Sequence, residues 1–366
     1  MGSRPRSLAL VLRWPRLAVI GSLGMPSHNF ARPRGQLVEI EIDSAALRGN
    51  RLGDPHRRSV AVYLPPGYDR DPDERFPLFV GLAAFGGSGF KLLNWQSFGE
   101  SLPQRIDRLI DEGKLGPIVL ALPDGFTRLG GNQWIDSPVM GNWEGFVLDE
   151  LIPTLEQRFR VRKGPGSRAV FGHSSGGYGA LIHAMRHGDQ WGAIASHSGD
   201  VGFELVYGRT LPAANAALEA FGHDVEQFLS RLWSADKLRG HEFDTLTLLA
   251  MAATYAPEDA MPLGIRLPVD PETCARDPAR WARWLAHDPV ALIDQPESLT
   301  SLRKLRGLWL DVGSRDEYFI HYGTRALVHK LEAARIEHVH SEHLGGHSGV
   351  SDRLDISLPW LYRTIN

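Results

Sequence analysis

The segment RAVFGHSSGGYGAL, residues 168–181, constrains the fold more than any other part of the sequence. It begins with a short apolar run typical of a buried strand and ends with an apolar run typical of a helix. Two serines lie between glycines where the two runs meet. This order matches the strand–turn–helix arrangement in which hydrolases of the α/β class expose a nucleophilic serine.

The glycines decide which serine fits that arrangement. The turn is so sharp that only small residues fit two positions before and two positions after the nucleophile. Ser174 has Gly172 and Gly176 there, whereas Ser175 has His173 on its earlier side. We therefore predict Ser174 as the nucleophile and the backbone N–H of Ser175 as an oxyanion donor at the helix N-terminus. The alternative is a tight glycine turn with a capping serine.

Strand-like and helix-like patterns alternate over most of the chain, which predicts an α/β fold with a mostly parallel central sheet and helices on both faces. The first two strands, joined by short polar loops, are expected to be antiparallel. The segments with strand patterns are LVEIEIDSAAL, RRSVAVYL, RFPLFVGL, GPIVLALPDG, SRAVFG, GAIASHSG, RGLWLDVG and IEHVHSEH. The segments with helix patterns are Phe98–Glu112, GNWEGFVLDELIPTLEQRF, SGGYGALIHAMRH, YGTRALVHKLEAAR and SGVSDRLDISLPWLYRT.

The alternation stops between residues 201 and 300, where several segments look helical and one is rich in proline. We predict an α/β core from residues 36–200 and 301–366, with 201–300 as a mainly helical insertion. Such an insertion after a sheet strand is expected to form a cap that selects the substrate, since loops over the carboxyl edge of a sheet line the binding site. The alternative is that these helices form a subunit interface, in which case the protein is a homo-oligomer.

Charge and cysteine content limit the partners. The net charge is −3, so we expect no nucleic acid partner and no membrane, and a small-molecule ligand instead. The chain has one cysteine, Cys274, which rules out an intramolecular disulfide and a multi-thiolate zinc site and is typical of a reducing compartment. We expect a cytoplasmic protein. Residues 1–35 are expected to form a flexible arm, with Met25 as an alternative start. Export is the alternative, because the arm has arginines and apolar runs like those of a signal peptide. Arg13, Pro15 and Arg16 cut these runs into short pieces, which argues against it.

A serine nucleophile needs a base, and the base needs an orienting acid, in the chain order serine, acid, histidine for this fold. The loop after the strand RGLWLDVG offers Asp316, with Glu317 as a second choice, and Asp311 is expected to be structural. The loop HLGGHSG near the C-terminus offers His347. We predict a triad of Ser174, Asp316 and His347.

A run of histidines offers a competing metal site. His338, His340, Glu342 and His343 spell H-x-H-x-E-H, close to a motif of metal-dependent hydrolases. Such folds need further ligands well downstream, and only 23 residues follow His343. A sheet strand explains the alternation better, so we predict neither a metal nor a cofactor.

The chain resembles the putative-esterase family of α/β-hydrolases, which includes feruloyl, acetylxylan and enterochelin esterases, S-formylglutathione hydrolases and mycolyltransferases. The matching segments are VYLPPGY, FPLFVGLAAFGG, GNWEGFVLDELIPTLEQRFRV, FGHSSGGYGAL, DVGSRDE and LGGHSG. They lie in 36–200 and 301–366. The resemblance implies a carboxylic-ester hydrolase working through an acyl-enzyme, with Ser174, Asp316 and His347 as the triad and a small ester as the substrate. An acyltransferase with the same triad and a non-catalytic binding protein are the alternatives.

The sequence departs from the family at one point. Where the family has LHGxGG after its third strand, this chain has Leu82-Ala83-Ala84-Phe85-Gly86-Gly87. The oxyanion donor is a backbone N–H, so we expect Phe85 to supply it if the turn persists. Trp134 and Trp143, with Trp281 and Trp284, are candidates for an aromatic wall of the substrate pocket.

Overall fold

A computed structural model describes residues 33–366, and the predicted α/β fold is confirmed. An eight-stranded sheet has the order β1-β2-β4-β3-β7-β8-β9-β10, and a two-stranded ribbon, β5 and β6, lies apart from it. The strands are β1 Gln36–Asp43, β2 Arg57–Leu64, β3 Leu78–Leu82, β4 Val119–Pro123, β5 Asp136–Ser137, β6 Gly141–Asn142, β7 Arg168–His173, β8 Ala193–His197, β9 Gly307–Gly313 and β10 Val339–His343.

The pairing of the strands follows the sequence prediction. β1 pairs antiparallel with β2, and β2 pairs antiparallel with β4, whereas every other pair in the large sheet is parallel. β3, β4, β7, β8 and β9 are buried along most or all of their length, as expected for strands covered on both faces. The carboxyl ends of the parallel strands therefore meet at one edge of the sheet, where ligands bind in open α/β folds.

Helices cover both faces of the sheet, as predicted. Those described are α1 Leu102–Asp111, α2 Trp143–Gly145, α3 Ile152–Arg158, α4 Ser175–His187, α5 Phe203–Val206, α6 Leu211–Glu219, α7 Val225–Trp233, α8 Glu242–Tyr255, α9 Pro278–Leu285, α10 Pro289–Leu292, α11 Pro296–Leu302, α12 Ile320–Ala333 and α13 Leu354–Ile365. A π-helical turn, Phe146–Leu151, joins α2 to α3. α1 and α13 pack on one face, and α3, α4 and α12 pack on the other.

Residues 201–300 contain seven of these helices, α5 to α11, the last ending at Leu302, and no strand of the large sheet. The long helix α8 is buried along most of its length, and its apolar residues join the core cluster that also contains α4. Burial on this scale supplies the apolar surface that a separate helical layer needs for stability. Residues 201–300, the predicted insertion, thus pack onto the rest of the fold rather than extending from it.

The first described residues are tied to α1. The backbone N–H of Gly35 donates to Asp107 Oδ1 over 3.2 Å, and Tyr63 Oη donates to the same oxygen over 2.7 Å. The expectations for the N-terminal arm and for Met25 concern residues that, up to 32, lie outside the described part of the chain. Between residues 33 and 366, no helix has the length and apolarity needed to cross a membrane.

Candidate active site

Ser174 lies at the sharp turn between β7 and α4. Its backbone has φ 55° and ψ −125°, a conformation that non-glycine residues adopt only where the surrounding structure enforces it. A Cβ on Gly172 would lie 2.3 Å from the carbonyl carbon of Gly176, and one on Gly176 would lie 2.1 Å from Leu82 O. These contacts are too short for any side chain. The glycine requirement that selected Ser174 from the sequence is therefore present in the structure.

The three predicted triad residues meet at the carboxyl edge of the sheet. His347 Nε2 lies 3.0 Å from Ser174 Oγ, and His347 Nδ1 lies 2.8 Å from Asp316 Oδ2. Asp316 is 2% exposed and His347 is 8% exposed. The chain of hydrogen bonds can pass the serine proton to the imidazole and hold the resulting imidazolium against the carboxylate.

The carboxylate that contacts the imidazole is that of Asp316. Burial works to raise the pKa of Asp316, but the hydrogen bond and charge of His347 and the backbone N–H of Tyr318 outweigh it and lower that pKa. Glu317 Oε2 instead accepts the backbone N–H of His347 over 2.7 Å. Asp311 forms an ion pair with Arg353, in which Oδ2 accepts from Nε and Nη2 over 2.8 and 2.7 Å.

His173, the residue before Ser174, contacts the loop that carries His347, which is called the histidine loop below. Its Nε2 lies 2.8 Å from the main-chain oxygen of His347, and the two imidazole centroids are 4.7 Å apart. Burial, together with the neighbouring His347 ring, lowers the pKa of His173 to about 3. The ring is therefore neutral near pH 7, and its Nε2 carries the proton that the carbonyl accepts.

The segment that departs from the family pattern still forms a closed turn. Gly87 N donates to Ala84 O over 3.2 Å, and Gly86 N donates to Gly130 O over 2.8 Å. The indole N–H of Trp134 donates to Ala83 O over 2.9 Å and fixes the turn from below. Phe85 and Ser175 both border the cavity that contains Ser174.

That cavity has a volume of about 220 Å³ and opens over the nucleophile. The core contributes Ser174, His347 and Tyr318 to its wall. The insertion contributes residues from α5, α8 and the loop after α5, which are Val206, Tyr207, Thr210, Phe243, Asp244, Thr247 and Leu248. Residues 201–300 thus lie beside the predicted nucleophile.

A second cavity, of about 300 Å³, adjoins the first. Both are bordered by Ala84, Lys91, His173 and Ser348, so the Ala84 turn and the histidine loop separate them. Leu92, Leu102, Phe171 and Leu354 give the second cavity an apolar floor.

A buried polar network beside Ser175 escaped the sequence analysis. Asp200 Oδ2 accepts hydrogen bonds from Tyr207 Oη over 2.8 Å and from Gln133 Nε2 over 3.1 Å, and Ser175 Oγ lies 3.5 Å away. One signal was available, since Asp200 follows strand β8 at the edge where the triad loops meet. Gln133 and Tyr207 carry no comparable signal in the sequence.

The predicted aromatic wall is wrong. Trp134, Trp143 and Trp284 are at most 1% exposed, Trp281 is 5% exposed, and none borders the cavity. Trp134 and Trp143 pack edge to face at 5.5 Å in the core beneath the turn. Their large apolar surfaces are better buried there than at a wet cavity.

The histidine run lies mostly on an edge strand. β10 covers Val339–His343, and among residues 33–366 it pairs with β9 alone. Alternation on that strand points His340 and Glu342 to one side, and Glu342 forms an ion pair with Arg325. His338 precedes the strand. Over the described residues, no group of three or more His, Cys, Asp or Glu side chains is placed to hold a metal ion.

Comparison with known proteins identifies the family. The sequence profile described as "Putative esterase" matches residues 51–352. Among curated proteins, Esterase Rv1288 of Mycobacterium tuberculosis is 35% identical over 104 residues, which cover 27% of this chain and 22% of that protein. The match thus spans about a fifth of that relative's length.

Solved structures that share the fold include feruloyl esterases and S-formylglutathione hydrolases. A ferulic acid esterase superposes with a TM-score of 0.59 at 16% identity, over 92% of this chain and all of the other. The feruloyl esterase module from Clostridium thermocellum, complexed with sinapinate, superposes with a TM-score of 0.54 at 13% identity, over 91% and 90% of the two chains. At these identities the superpositions establish the fold.

Proposed function

The chain belongs to the "Putative esterase" family, and on that premise we propose that it hydrolyses carboxylic esters through an acyl-enzyme on Ser174. The observation that carries the proposal is the hydrogen-bonded chain from Ser174 Oγ through His347 to Asp316, with distances of 3.0 and 2.8 Å. Membership of an esterase family supports the same activity.

Acylation begins when Ser174 Oγ attacks the ester carbonyl carbon and His347 Nε2 takes the hydroxyl proton. Asp316 stabilises the imidazolium that forms. The carbonyl oxygen becomes an oxyanion, which we assign to the backbone N–H groups of Phe85 and Ser175, the second at the positive end of α4. Each such donor contributes on the order of 10²–10³ in kcat.

The tetrahedral intermediate collapses when the bond to the alcohol oxygen breaks and the imidazolium gives its proton to that oxygen. The alcohol leaves, and the acyl group stays on Ser174 as an ester. Water then attacks the acyl carbon, with His347 as the base, and the acid is released with Ser174 restored. No metal or cofactor takes part in these steps.

The cavity over Ser174 supports a small ester whose carbonyl group lies at the nucleophile. We assign residues 201–300 as a cap on the first cavity, because α5 and α8 supply seven of its wall residues together with the loop after α5.

Rapid mixing of the protein with p-nitrophenyl acetate tests the proposal. An acyl-enzyme predicts a burst of p-nitrophenol equal to the enzyme concentration, and mass spectrometry after acid quenching should find an acetyl group on Ser174. Added methanol should accelerate turnover by attacking the acyl-enzyme. The yield of methyl acetate relative to acetate should then follow the ratio of methanol to water. Hydrolysis without a burst and without an acetylated peptide would contradict the acyl-enzyme, and methyl acetate as nearly the only product in dilute methanol would favour an acyltransferase.

A further inference from the structure

The cavity over Ser174 contains a buried carboxylate that ester hydrolysis does not use. Asp200 follows β8, is 6% exposed, and borders the cavity together with Ser174, Ser175 and His347. Asp316 already serves the imidazole. A second carboxylate at this place needs its own explanation, because burying a charge is costly unless something compensates it.

Hydrogen bonds fix the orientation of Asp200 but occupy only one of its oxygens. Tyr207 Oη, Gln133 Nε2 and Ser175 Oγ all approach Oδ2, and they come from two separate loops and the start of α4. Among residues 33–366, no hydrogen bond ends on Oδ1. Oδ1 also does not belong to the buried polar atoms that lack a partner, so it is not sealed in protein. The carboxylate therefore presents one oriented, open acceptor to the cavity.

In the described part of the chain, no lysine or arginine forms an ion pair with this carboxylate. Within the described chain, Asp200 takes part in no ion pair, and the cavity wall carries a second acid, Asp244. The one lysine of the wall, Lys91, is exposed and also borders the second cavity. Burial raises the pKa of Asp200, while the hydrogen bonds of Tyr207 and Gln133 and the charge of His347 oppose that rise. A hydrogen-bond donor on a ligand would pair with Asp200 Oδ1, for which the described chain provides no donor.

We propose that Asp200 is a substrate-binding residue whose Oδ1 accepts a hydrogen bond from a hydroxyl or ammonium group on the acyl part of the ester. This inference rests on the proposed esterase function. Acyl groups that carry a hydroxyl or an ammonium are then preferred over plain alkyl groups, because they satisfy the carboxylate. Acyl groups that carry a carboxylate are disfavoured, because they place a second negative charge beside Asp200 and Asp244.

A series of methyl esters with one six-carbon acyl chain tests the preference. The substrates are methyl hexanoate, methyl 3-hydroxyhexanoate, methyl 6-hydroxyhexanoate, methyl 6-aminohexanoate and monomethyl adipate, with acid release measured by titration at constant pH. We expect kcat/KM for the better hydroxyl ester, the amino ester or both to exceed that of methyl hexanoate about 10-fold, as a hydrogen bond to a charged group allows. Monomethyl adipate should be about 10-fold poorer than methyl hexanoate. The separate hydroxyl and amino substrates show which donor the site takes.

Asp200→Asn preserves the shape of the side chain and removes its charge. Each variant's rates are compared with its own rate on methyl hexanoate, so a general loss of activity cancels. The preference for the donor substrates should fall to about 2-fold or less, and the penalty on monomethyl adipate should largely disappear. The matched control is Asp259→Asn, at an insertion side chain that is 96% exposed, and it should keep the wild-type order.

Tyr207→Phe tests the hydrogen-bond network around Asp200 separately from the charge of Asp200. This variant removes one donor to Oδ2 and leaves the carboxylate, so the donor substrates should keep most of their advantage. Loss of the advantage in Tyr207→Phe but not in Asp200→Asn would overturn the proposal. The wild type alone also suffices if Asp200→Asn fails to fold, since equal rates on methyl hexanoate and every donor ester would contradict a donor subsite. Failure of the esterase function itself would look different, because no ester of the series would be hydrolysed.

Discussion

The imidazole of His173 donates a hydrogen bond from Nε2 to the main-chain oxygen of His347 over 2.8 Å. The residue immediately before the predicted nucleophile thereby fixes the loop that carries the predicted base. His173→Ala should lower kcat about 10- to 100-fold, because a base misplaced by about 1 Å loses that much. Initial rates on p-nitrophenyl acetate measure the effect.

His173→Gln is the matched variant, since its amide N–H can replace the donor. It should recover much of the rate that His173→Ala loses, with KM close to that of the wild type. Equal and small effects of both substitutions would mean that the hydrogen bond does not position His347.

Asp316 and Glu317 are adjacent carboxylates with different predicted roles. Asp316→Asn should reduce kcat by about 10⁴, because an amide at this position favours the wrong tautomer of the imidazole. Glu317→Gln should cost less than 10-fold, since its amide oxygen can still accept the backbone N–H of His347. Comparable losses in kcat from the two substitutions would contradict the assignment of Asp316 as the orienting acid.

Local patterns were enough to predict most strands and helices, and the sheet edge at which Ser174, Asp316 and His347 lie together. The glycines around Ser174 specify one backbone geometry, and the strands before Asp316 and His347 end at the same sheet edge, so the residues that follow them converge. The short polar loops predicted between the first two strands also indicated the antiparallel start of the sheet.

The remaining parts of the site depend on long-range packing. Gln133 and Asp200 are 67 residues apart, and only the folded chain brings their side chains within 3.1 Å. Trp134 and Trp143 were misassigned because a tryptophan pattern does not distinguish a core from a pocket wall. The hydrogen bond from Trp134 to Ala83 shows that the indole supports the turn from inside.

The ionisation of Glu144 should make the free energy of unfolding depend on pH. Burial works to raise the pKa of Glu144, but the hydrogen bond of His187 and the charge of Arg186 lower it from 4.5 to about 2. The unfolded chain therefore binds the Glu144 proton more readily than the folded chain does. The stabilisation that Glu144 gives to the fold is complete above pH 4.5 and is lost as the pH falls towards 2. The loss is on the order of 3 kcal/mol in the free energy of unfolding.

Urea unfolding between pH 6 and pH 3 measures this dependence. Glu144→Gln should be less stable than the wild type at pH 6, and the difference should shrink as the pH falls. The exposed Glu337→Gln serves as the control and should follow the wild type. A difference that stays constant over this range would show that the Glu144 ion pairs do not titrate as described.

Phe243 tests the assignment of the insertion as a cap. Its ring packs against Phe85 with a centroid distance of 5.7 Å and borders the cavity over Ser174. Phe243→Ala widens that cavity, so kcat/KM for p-nitrophenyl octanoate should rise several-fold relative to p-nitrophenyl acetate. Trp233→Ala, at an insertion ring outside the cavity wall, is the control and should leave the ratio unchanged. An unchanged ratio in Phe243→Ala, with a shift to monomer in solution scattering, would favour a subunit interface instead.

The neighbouring serines provide the most direct test of the central claim, that Ser174 is the nucleophile of an ester hydrolase. The measurement is kcat for p-nitrophenyl acetate in Ser174→Ala and Ser175→Ala, with circular dichroism to confirm that both fold. We predict a loss on the order of 10⁶ for Ser174→Ala, because no other group replaces the nucleophile. Ser175→Ala keeps the backbone N–H assigned to the oxyanion and should retain much of the activity. An active Ser174→Ala beside an inactive Ser175→Ala would contradict the account.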